Sequence, residues 1–303
     1  MDDVFSDRID RARLAELNRQ SDGRGLLRLA GHVAALLLTG CILSRALGTW
    51  WVAPATLLHG AVLVFLFAPL HESIHRTAFK SRALNDAVGW VCGALLLLPP
   101  EYFRFFHFAH HRHTQDPAND PELAAPKPAN PGQWLVHVSG WLYWRARVWG
   151  TLMHAAGRIT EPFLSAPRAA ERVVREARQL LLLYLAIAAA ALLFGTWWPL
   201  IYWVIPALAG QPLLRIYLLA EHGLCPLVPD MLANSRTTRS NAIVRFFVWN
   251  MPYHAEHHAY PSVPFHALPE VHRAIAGDIK VTAPGYIAVQ RQLLRSFRVP
   301  SSR

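Results

Sequence analysis

Charged residues and cysteines are scarce in this chain. Only 17% of its 303 residues are charged, and its three cysteines, Cys41, Cys92 and Cys225, are scattered and fit no spacing motif. We therefore expect neither a disulfide framework nor a cysteine metal site. The N-terminus begins Met-Asp-Asp, without a short basic segment followed by a cleavable apolar stretch, so we predict no removable signal peptide.

Apolar residues and arginines are abundant by contrast. Hydrophobic residues make up 53% of the sequence, which includes 11 tryptophans, and they are gathered in long runs. Such runs indicate an integral membrane protein. The formal net charge of +10 would permit nucleic-acid binding. The arginines, however, flank the apolar runs, which is typical of contact with anionic lipid head groups, and we therefore expect no nucleic-acid partner.

Four apolar segments predict membrane-spanning helices, paired in two hairpins. The hairpin turns, Gly48-Thr49 and Gly195-Thr196, are very short and uncharged, whereas the N-terminus, the middle and the C-terminus carry nearly all the lysines and arginines. The positive-inside rule places both turns outside and both termini in the cytoplasm, and we expect a bacterial-type inner membrane. The predicted spans are residues 26–47, 50–70, 180–194 and 197–219.

The remaining segments complete an all-α prediction, with interfacial helices around the spans. Ala87 to Leu98 is apolar but only 12 residues long, so we interpret it as re-entrant or interfacial. Asp7 to Leu17 predicts a short amphipathic helix, either on the membrane surface or solvated, and residues 124–178 predict a surface helix and a basic linker. We divide the chain into a cytoplasmic N-terminal segment, a single membrane domain and a C-terminal tail at residues 1–25, 26–280 and 281–303.

Histidines are concentrated in three clusters, each just after an apolar segment. Eight of the 16 histidines have the spacings HxxxH, HxxHH and HxxHH. On a helix, residues three and four apart share a face, so each cluster directs at least two imidazoles the same way. Neutral imidazole is a common ligand of iron, copper and zinc. The clusters consist of His71 and His75; His107, His110 and His111; and His254, His257 and His258.

His222 follows the last predicted span and is a candidate ninth member of this set. Eight or nine histidines are too many for one tetrahedral zinc ion but suit a pair of metal ions with four or five ligands each. Because all these histidines emerge at the inner face, we predict a cytoplasmic histidine-rich di-metal cap.

Acids between residues 116 and 122 could accept hydrogen bonds from ligand N–H groups or form a plain polar turn. Asn250 could place an oxygen near a metal or cap a helix.

The order of the clusters and hairpins resembles the membrane-bound fatty acid desaturase and hydroxylase superfamily. Residues 107–114 match its HxxHHxxT box, and residues 250–261 resemble its N-x-x-Y-H-x-E-H-H-x-x-P box. The resemblance covers about residues 26–275. It implies that the eight clustered histidines are iron ligands and that His222 occupies the place where some members supply an extra ligand.

The resemblance also implies a non-haem di-iron centre that uses O2 and electrons. The donor would be a separate ferredoxin, rubredoxin or cytochrome b5-type protein, because the His-Pro-Gly-Gly of a fused cytochrome b5 does not occur. The expected reaction is desaturation of a fatty acyl chain or a similar lipid or amphiphile. Hydroxylation or other oxygenation of a lipid, alkane or carotenoid on the same centre is the alternative. A metal transporter is a more distant one, because transporters usually place their ligands near the midplane of broken helices.

Overall fold

The computed structural model describes residues 8–297, and this part of the chain is built almost entirely from helices. A parallel pair of two-residue strands, β1 (Thr237–Thr238) and β2 (Thr282–Ala283), forms the only sheet among these residues. The helices are α1 (Arg11–Leu17), α2 (Asp22–Ala46), α3 (Val52–Val64), α4 (Phe67–His75), α5 (Arg82–Leu95), α6 (Pro100–His113), α7 (Pro131–Val138), α8 (Trp141–Ala155), α9 (Pro167–Leu193), α10 (Ile205–His222), α11 (Met231–Asn234), α12 (Ala242–Phe247), α13 (His254–Ala259), α14 (Leu268–Ile275) and α15 (Tyr286–Ser296).

Four helical segments in the described residues are long and apolar enough to cross a membrane, which confirms the predicted number of spans. Their bounds differ from the prediction because helices continue beyond the apolar residues. The third span begins at Pro167 instead of residue 180. Much of the predicted basic linker therefore forms the first turns of this helix, because its Arg, Ala and Glu residues favour helix. The four segments are Asp22–Ala46, Val52–His75, Pro167–Leu193 and Leu200–His222.

The two hairpins pack against each other through glycines of α3 and α10. A Cβ atom on Gly60 would lie 2.1 Å from the carbonyl oxygen of Pro206, and one on Gly210 would lie 2.2 Å from the carbonyl oxygen of Gly60. The two backbones are therefore in direct contact, as small residues allow in membrane helix pairs.

Two histidines inside the spans, His32 and His59, have hydrogen-bonded packing roles. His59 lies with Nε2 3.0 Å from the carbonyl oxygen of Tyr202 and with Nδ1 2.9 Å from the Thr39 hydroxyl. His32 lies with Nε2 2.9 Å from the carbonyl oxygen of Val62. These contacts satisfy three of the four ring nitrogens, all but Nδ1 of His32, where unpaired polar groups would be costly in the membrane.

Helices α5 and α6 form a bent pair, with an angle of 99° between them. The bend returns the second histidine cluster to the first, as the re-entrant interpretation requires. Carbonyl groups at the end of α5 leave the regular helical pattern, and such groups cost several kcal/mol each when they are unsatisfied in lipid. Side chains from three other segments donate to them instead: the Tyr184 hydroxyl to Ala94 at 2.8 Å, the Trp203 indole to Leu95 at 2.7 Å, and the Tyr143 hydroxyl to Leu96 at 3.0 Å.

A cap of short helices, α11 to α15, follows the last span. Helix α1 packs on this cap, where Ile9 and Leu17 are buried in its apolar core and Arg13 pairs with Glu270 at 2.5 Å. The predicted helix therefore forms; its apolar side is covered by the cap, and most of its other residues are exposed. Asp7 lies outside the described residues. The segment after residue 280 contributes β2 and α15 to the same body.

Candidate metal centre

The structure brings all nine predicted histidines together at one end of the membrane-spanning helices. Helix α4 supplies the first cluster, α6 the second and α13 the third, while His222 is the last residue of α10. Seven of the nine are buried, and His75 and His111 are half-buried. Segments far apart in the chain therefore converge on one small volume.

Five of these histidines form a first group, whose nitrogen atoms all lie within 4.8 Å of one another. The Nε2 atom of His107 lies 2.8 Å from that of His71 and 2.9 Å from that of His111. The Nε2 atom of His257 lies 3.2 Å from that of His111. His75 is the fifth member of the group.

The other four histidines form a second group. Nitrogen atoms of His110, His222 and His258 lie within 4.8 Å of one another. His254 joins them, because its Nε2 atom lies 2.9 Å from the Nε2 atom of His222. The two groups are adjacent, since the rings of His111 and His258 stack with centroids 4.1 Å apart.

The spacing of these nitrogens fits ligands of a metal ion. Metal–nitrogen bonds of about 2.1 Å place neighbouring ligand atoms about 3.0–3.4 Å apart, and the observed Nε2–Nε2 distances run from 2.8 to 3.2 Å. Hydrogen bonds alone leave the cluster unsatisfied. The Nε2 atoms of His75 and His258 are buried without a partner, and a single Nε2 atom on His107 faces two neighbours. Both groups can therefore hold a metal ion.

Three rings of the second group are oriented by hydrogen bonds to Nδ1, the ring nitrogen on the far side from the metal position. An Nδ1–H that donates to an oxygen leaves the Nε2 lone pair free for a metal, which is how proteins commonly fix metal-binding histidines. The Nδ1 atoms lie 2.9 Å from the Asp120 carboxylate for His110, 3.1 Å from the Asn234 carbonyl oxygen for His222 and 3.2 Å from the Thr114 hydroxyl for His258. Asp120 thus takes the supporting role considered for the acids between residues 116 and 122.

The third cluster lies outside the spans, and its histidines are neutral. Burial, followed by the charge of neighbouring histidines, lowers the pKa of His254, His257 and His258 well below the usual value. Neutral imidazole is the form that binds metal.

Buried carboxylates lie beside the histidine clusters, and the sequence reasoning missed their contacts. Glu256, inside the third cluster, is fully buried, accepts the Thr237 hydroxyl at 2.5 Å and contacts Nδ1 of His272. Glu221 lies 3.3 Å from Nδ1 of His254. The available signal was adjacency in sequence, because a glutamate precedes or follows a histidine at residues 71–72, 221–222 and 256–257.

Residues that sequence analysis left outside the ligand set also lie outside both groups. His266 lies 3.0 Å from an Arg24 guanidinium nitrogen, and His154 lies 2.9 Å from the Glu161 carboxylate. The Asn250 side-chain amide donates to the carbonyl oxygen of Phe265 at 3.0 Å, which fixes the segment before the third cluster.

Comparison with known proteins identifies the family. The chain matches the fatty acid desaturase family over residues 48–289. It belongs to that family. A dihydrorhizobitoxine desaturase of Bradyrhizobium elkanii is 26% identical over 94% of this chain and 82% of its own length. A sphingolipid delta(4)-desaturase of Drosophila melanogaster is 26% identical over 81% and 72%, and a beta-carotene 4-ketolase of Haematococcus lacustris is 27% identical over 72% and 64%.

Membership of this family confirms the resemblance found in the sequence. The chain is a membrane-bound oxidoreductase of a metal-dependent family, with histidine clusters able to bind metal. The metal-transporter alternative is thereby set aside.

Proposed function

We propose that the chain is an O2-dependent di-iron desaturase of a fatty acyl chain or a similar lipid. The observation that carries this proposal is the division of nine histidines into adjacent groups of five and four, which suits two metal ions side by side. Imidazole ligands suit iron, and they resist the oxidation to which thiolates are prone. Bound iron would supply the oxidation of an unactivated C–H bond. Overall, the substrate loses two hydrogens, and O2, with two electrons and two protons, becomes water.

The residues of this chain hold and orient the centre. His71, His75, His107, His111 and His257 would hold one iron; His110, His222, His254 and His258 would hold the other. Asp120, Asn234 and Thr114 fix the rings of His110, His222 and His258 through Nδ1, so that their Nε2 lone pairs converge. Such supporting hydrogen bonds set ligand orientation and basicity.

An apolar groove supports a hydrocarbon substrate. A cavity of about 730 Å³ lies among α8, α9 and α10, and its lining includes Leu95, Trp144 and Trp203. These three side chains also pack on the apolar cluster that contains Phe103. The Phe103 ring centroid lies 5.3 Å from that of His107. The groove therefore borders the apolar cluster that packs on the metal centre, and we propose that a lipid chain reaches the groove sideways from the membrane.

The relatives' named substrates support a lipid as well. The name of the Drosophila relative gives sphingolipid, and that of a further relative, a 12-desaturase of Picosynechococcus sp., gives sn-1 oleoyl-lipid; both lipids carry long hydrocarbon chains. We propose the same class of substrate for this chain.

We further propose that the spans and the cap form one domain whose active site faces the cytoplasm of a bacterial-type inner membrane. The excess of arginine in the N-terminal, middle and C-terminal segments supports this orientation. Electrons would come from a separate ferredoxin, rubredoxin or cytochrome b5-type protein at the cap.

Oxygen insertion is the second candidate reaction. The similarity to a beta-carotene 4-ketolase favours it, because that relative's name denotes addition of oxygen to a carotenoid. The same metal centre would serve both reactions, and the position of the substrate carbon would decide between them.

Elemental analysis of the purified, full-length protein tests the metal assignment. We expect about two iron ions per chain that stay bound through purification, and a lower iron content for His222→Ala and for His75→Ala. His266→Ala, outside both groups, should keep the full content. Loosely bound zinc in place of iron would contradict the proposal.

A further inference from the structure

A second, polar cavity of about 240 Å³ lies where α4, α5, α6 and α9 meet. Ser73 lines it from α4, and Arg104 lines it from α6. Ser73 is two residues from both His71 and His75, which is about 200° around the helix, so the cavity lies behind the metal-binding face. Arg104 is three residues before His107. The cavity is therefore separate from the metal centre but shares two of its helices.

The carboxylates at this cavity are already engaged. Asp86 has the guanidinium groups of Arg76, Arg82 and Arg104 within 3.6–3.7 Å. A Glu101 oxygen pairs with Arg172 at 2.6 Å, and Glu176 accepts the backbone N–H of Glu101 at 2.8 Å. Three arginines and three carboxylates line the cavity, and Arg76 and Arg82 beside it bring the arginines to five, so positive charge is in excess there.

Several donors at the cavity lack a partner. The Ser73 hydroxyl is buried, with 1% of the residue exposed, and has no hydrogen-bond partner, and neither has Nε of Arg104. Arg175 lines the mouth and has no carboxylate within 4 Å among residues 8–297. Buried donors without acceptors are costly, which favours a ligand that supplies acceptor oxygens. The second Glu101 oxygen is also unpaired and could accept a hydroxyl.

The mouth of the cavity lies at the membrane interface. Helix α9 changes here from a basic segment with Arg168, Arg172 and Arg175 to an apolar run that starts at Leu180. Trp90 lines the same cavity. Arginine and tryptophan at the end of an apolar run mark the level of lipid head groups. At this depth, lipid head groups are the nearest source of an anion, which favours a headgroup over an ion from bulk water as the ligand.

We propose that this cavity binds the anionic headgroup of a membrane phospholipid. Arg104 and Arg175 are counter-ions for the phosphate, the Ser73 hydroxyl donates to it, and a headgroup hydroxyl donates to Glu101. Binding ties α4 and α6, which carry metal-binding histidines, to α9. It requires neither metal nor turnover and is independent of the proposed reaction.

Native mass spectrometry of the full-length protein, titrated with phosphatidylglycerol or phosphatidylcholine, tests this site. We expect phosphatidylglycerol to bind more tightly than phosphatidylcholine. Arg104→Gln and Arg175→Gln should each weaken phosphatidylglycerol binding at least about tenfold relative to the matched control Arg168→Gln, because hydrogen bonds to charged groups contribute this much. Arg168 is exposed on the same helix but does not line the cavity.

Two results would overturn the proposal. One is phosphatidylglycerol affinity in Arg175→Gln equal to that in Arg168→Gln; Arg175 is exposed, so its substitution decides the matter even if Arg104→Gln fails to fold. The other is binding of inorganic phosphate alone as tight as that of the lipid, which would make the cavity an aqueous anion site.

Discussion

Nδ1 of His110 lies 2.9 Å from a carboxylate oxygen of Asp120, and both side chains are almost completely buried. Burial raises the pKa of Asp120, but hydrogen bonds from His110 and from the backbone N–H groups of Gln115 and Glu122 lower it by more, so the pKa lies below its ordinary value. The carboxylate is therefore charged, and it holds the His110 ring with Nε2 turned toward His222.

We predict that Asp120→Asn weakens metal binding while the protein still folds. The substitution keeps the shape of the side chain but removes the charge that orients His110, and loss of such a supporting contact typically costs about 10–100-fold in metal affinity. Iron retained during competition with a chelator measures the effect. Asp116→Asn, in the same turn but half-exposed, is the matched control. Equal retention by the two variants would show that Asp120 does not support the metal site.

Glu256 connects the third cluster to the rest of the cap. Because it is fully buried and accepts the Thr237 hydroxyl, we expect Glu256→Gln to reduce the free energy of unfolding by about 1–3 kcal/mol. Thermal unfolding of metal-free protein should show a lower Tm. Glu270→Gln removes only a surface pair with Arg13 and should leave Tm nearly unchanged. Equal Tm values for Glu256→Gln and Glu270→Gln would contradict this role of Glu256.

The contact between α3 and α10 leaves no room at Gly60. We predict that Gly60→Ala destabilises the protein by about 1–3 kcal/mol, because the new Cβ would collide with the Pro206 carbonyl oxygen and force the helices apart. Gly150→Ala, within α8 and with open space around it, should be neutral or slightly stabilising. Melting temperatures in one detergent compare the two variants; a stable Gly60→Ala protein would contradict the described packing.

The apolar groove can be narrowed from the lipid side. Ala188 lines it and is exposed, so we predict that Ala188→Trp lowers kcat/KM for a long-chain substrate about tenfold, which corresponds to about 1.4 kcal/mol, without loss of iron. Ala189→Trp is the control, since Ala189 is also exposed but does not line the groove. If Ala188→Trp keeps full activity, the substrate chain does not use this groove.

Much of the site was predictable because histidine spacing is a local property. Residues three and four apart share a helix face wherever the helix packs, so the HxxxH and HxxHH clusters could be identified before their partners were known. The assignment of His222 depended on a further argument, that the fourth span ends at the same face as the second. The structure places its ring beside those of His110 and His254.

Other features depend on contacts between segments far apart in sequence, which spacing does not reveal. The link from Glu256 to His272 and the donation from Trp203 to Leu95 are of this kind. Helix ends were also misjudged, because hydropathy detects the apolar part of α9 but not its arginine-rich first turns. The burial of Leu17 against the cap is also a tertiary contact, and an amphipathic pattern does not identify the surface that covers it.

Mass spectrometry of lipids from cells that express this chain with a ferredoxin system tests the central claim most directly. The account predicts a product lighter than its substrate by two hydrogens, absent with His110→Ala or His257→Ala, each of which removes a ligand from one group, and still formed with His266→Ala. A product heavier by one oxygen would contradict desaturation while leaving the metal centre in place. Full turnover by His110→Ala or His257→Ala would contradict the metal centre itself.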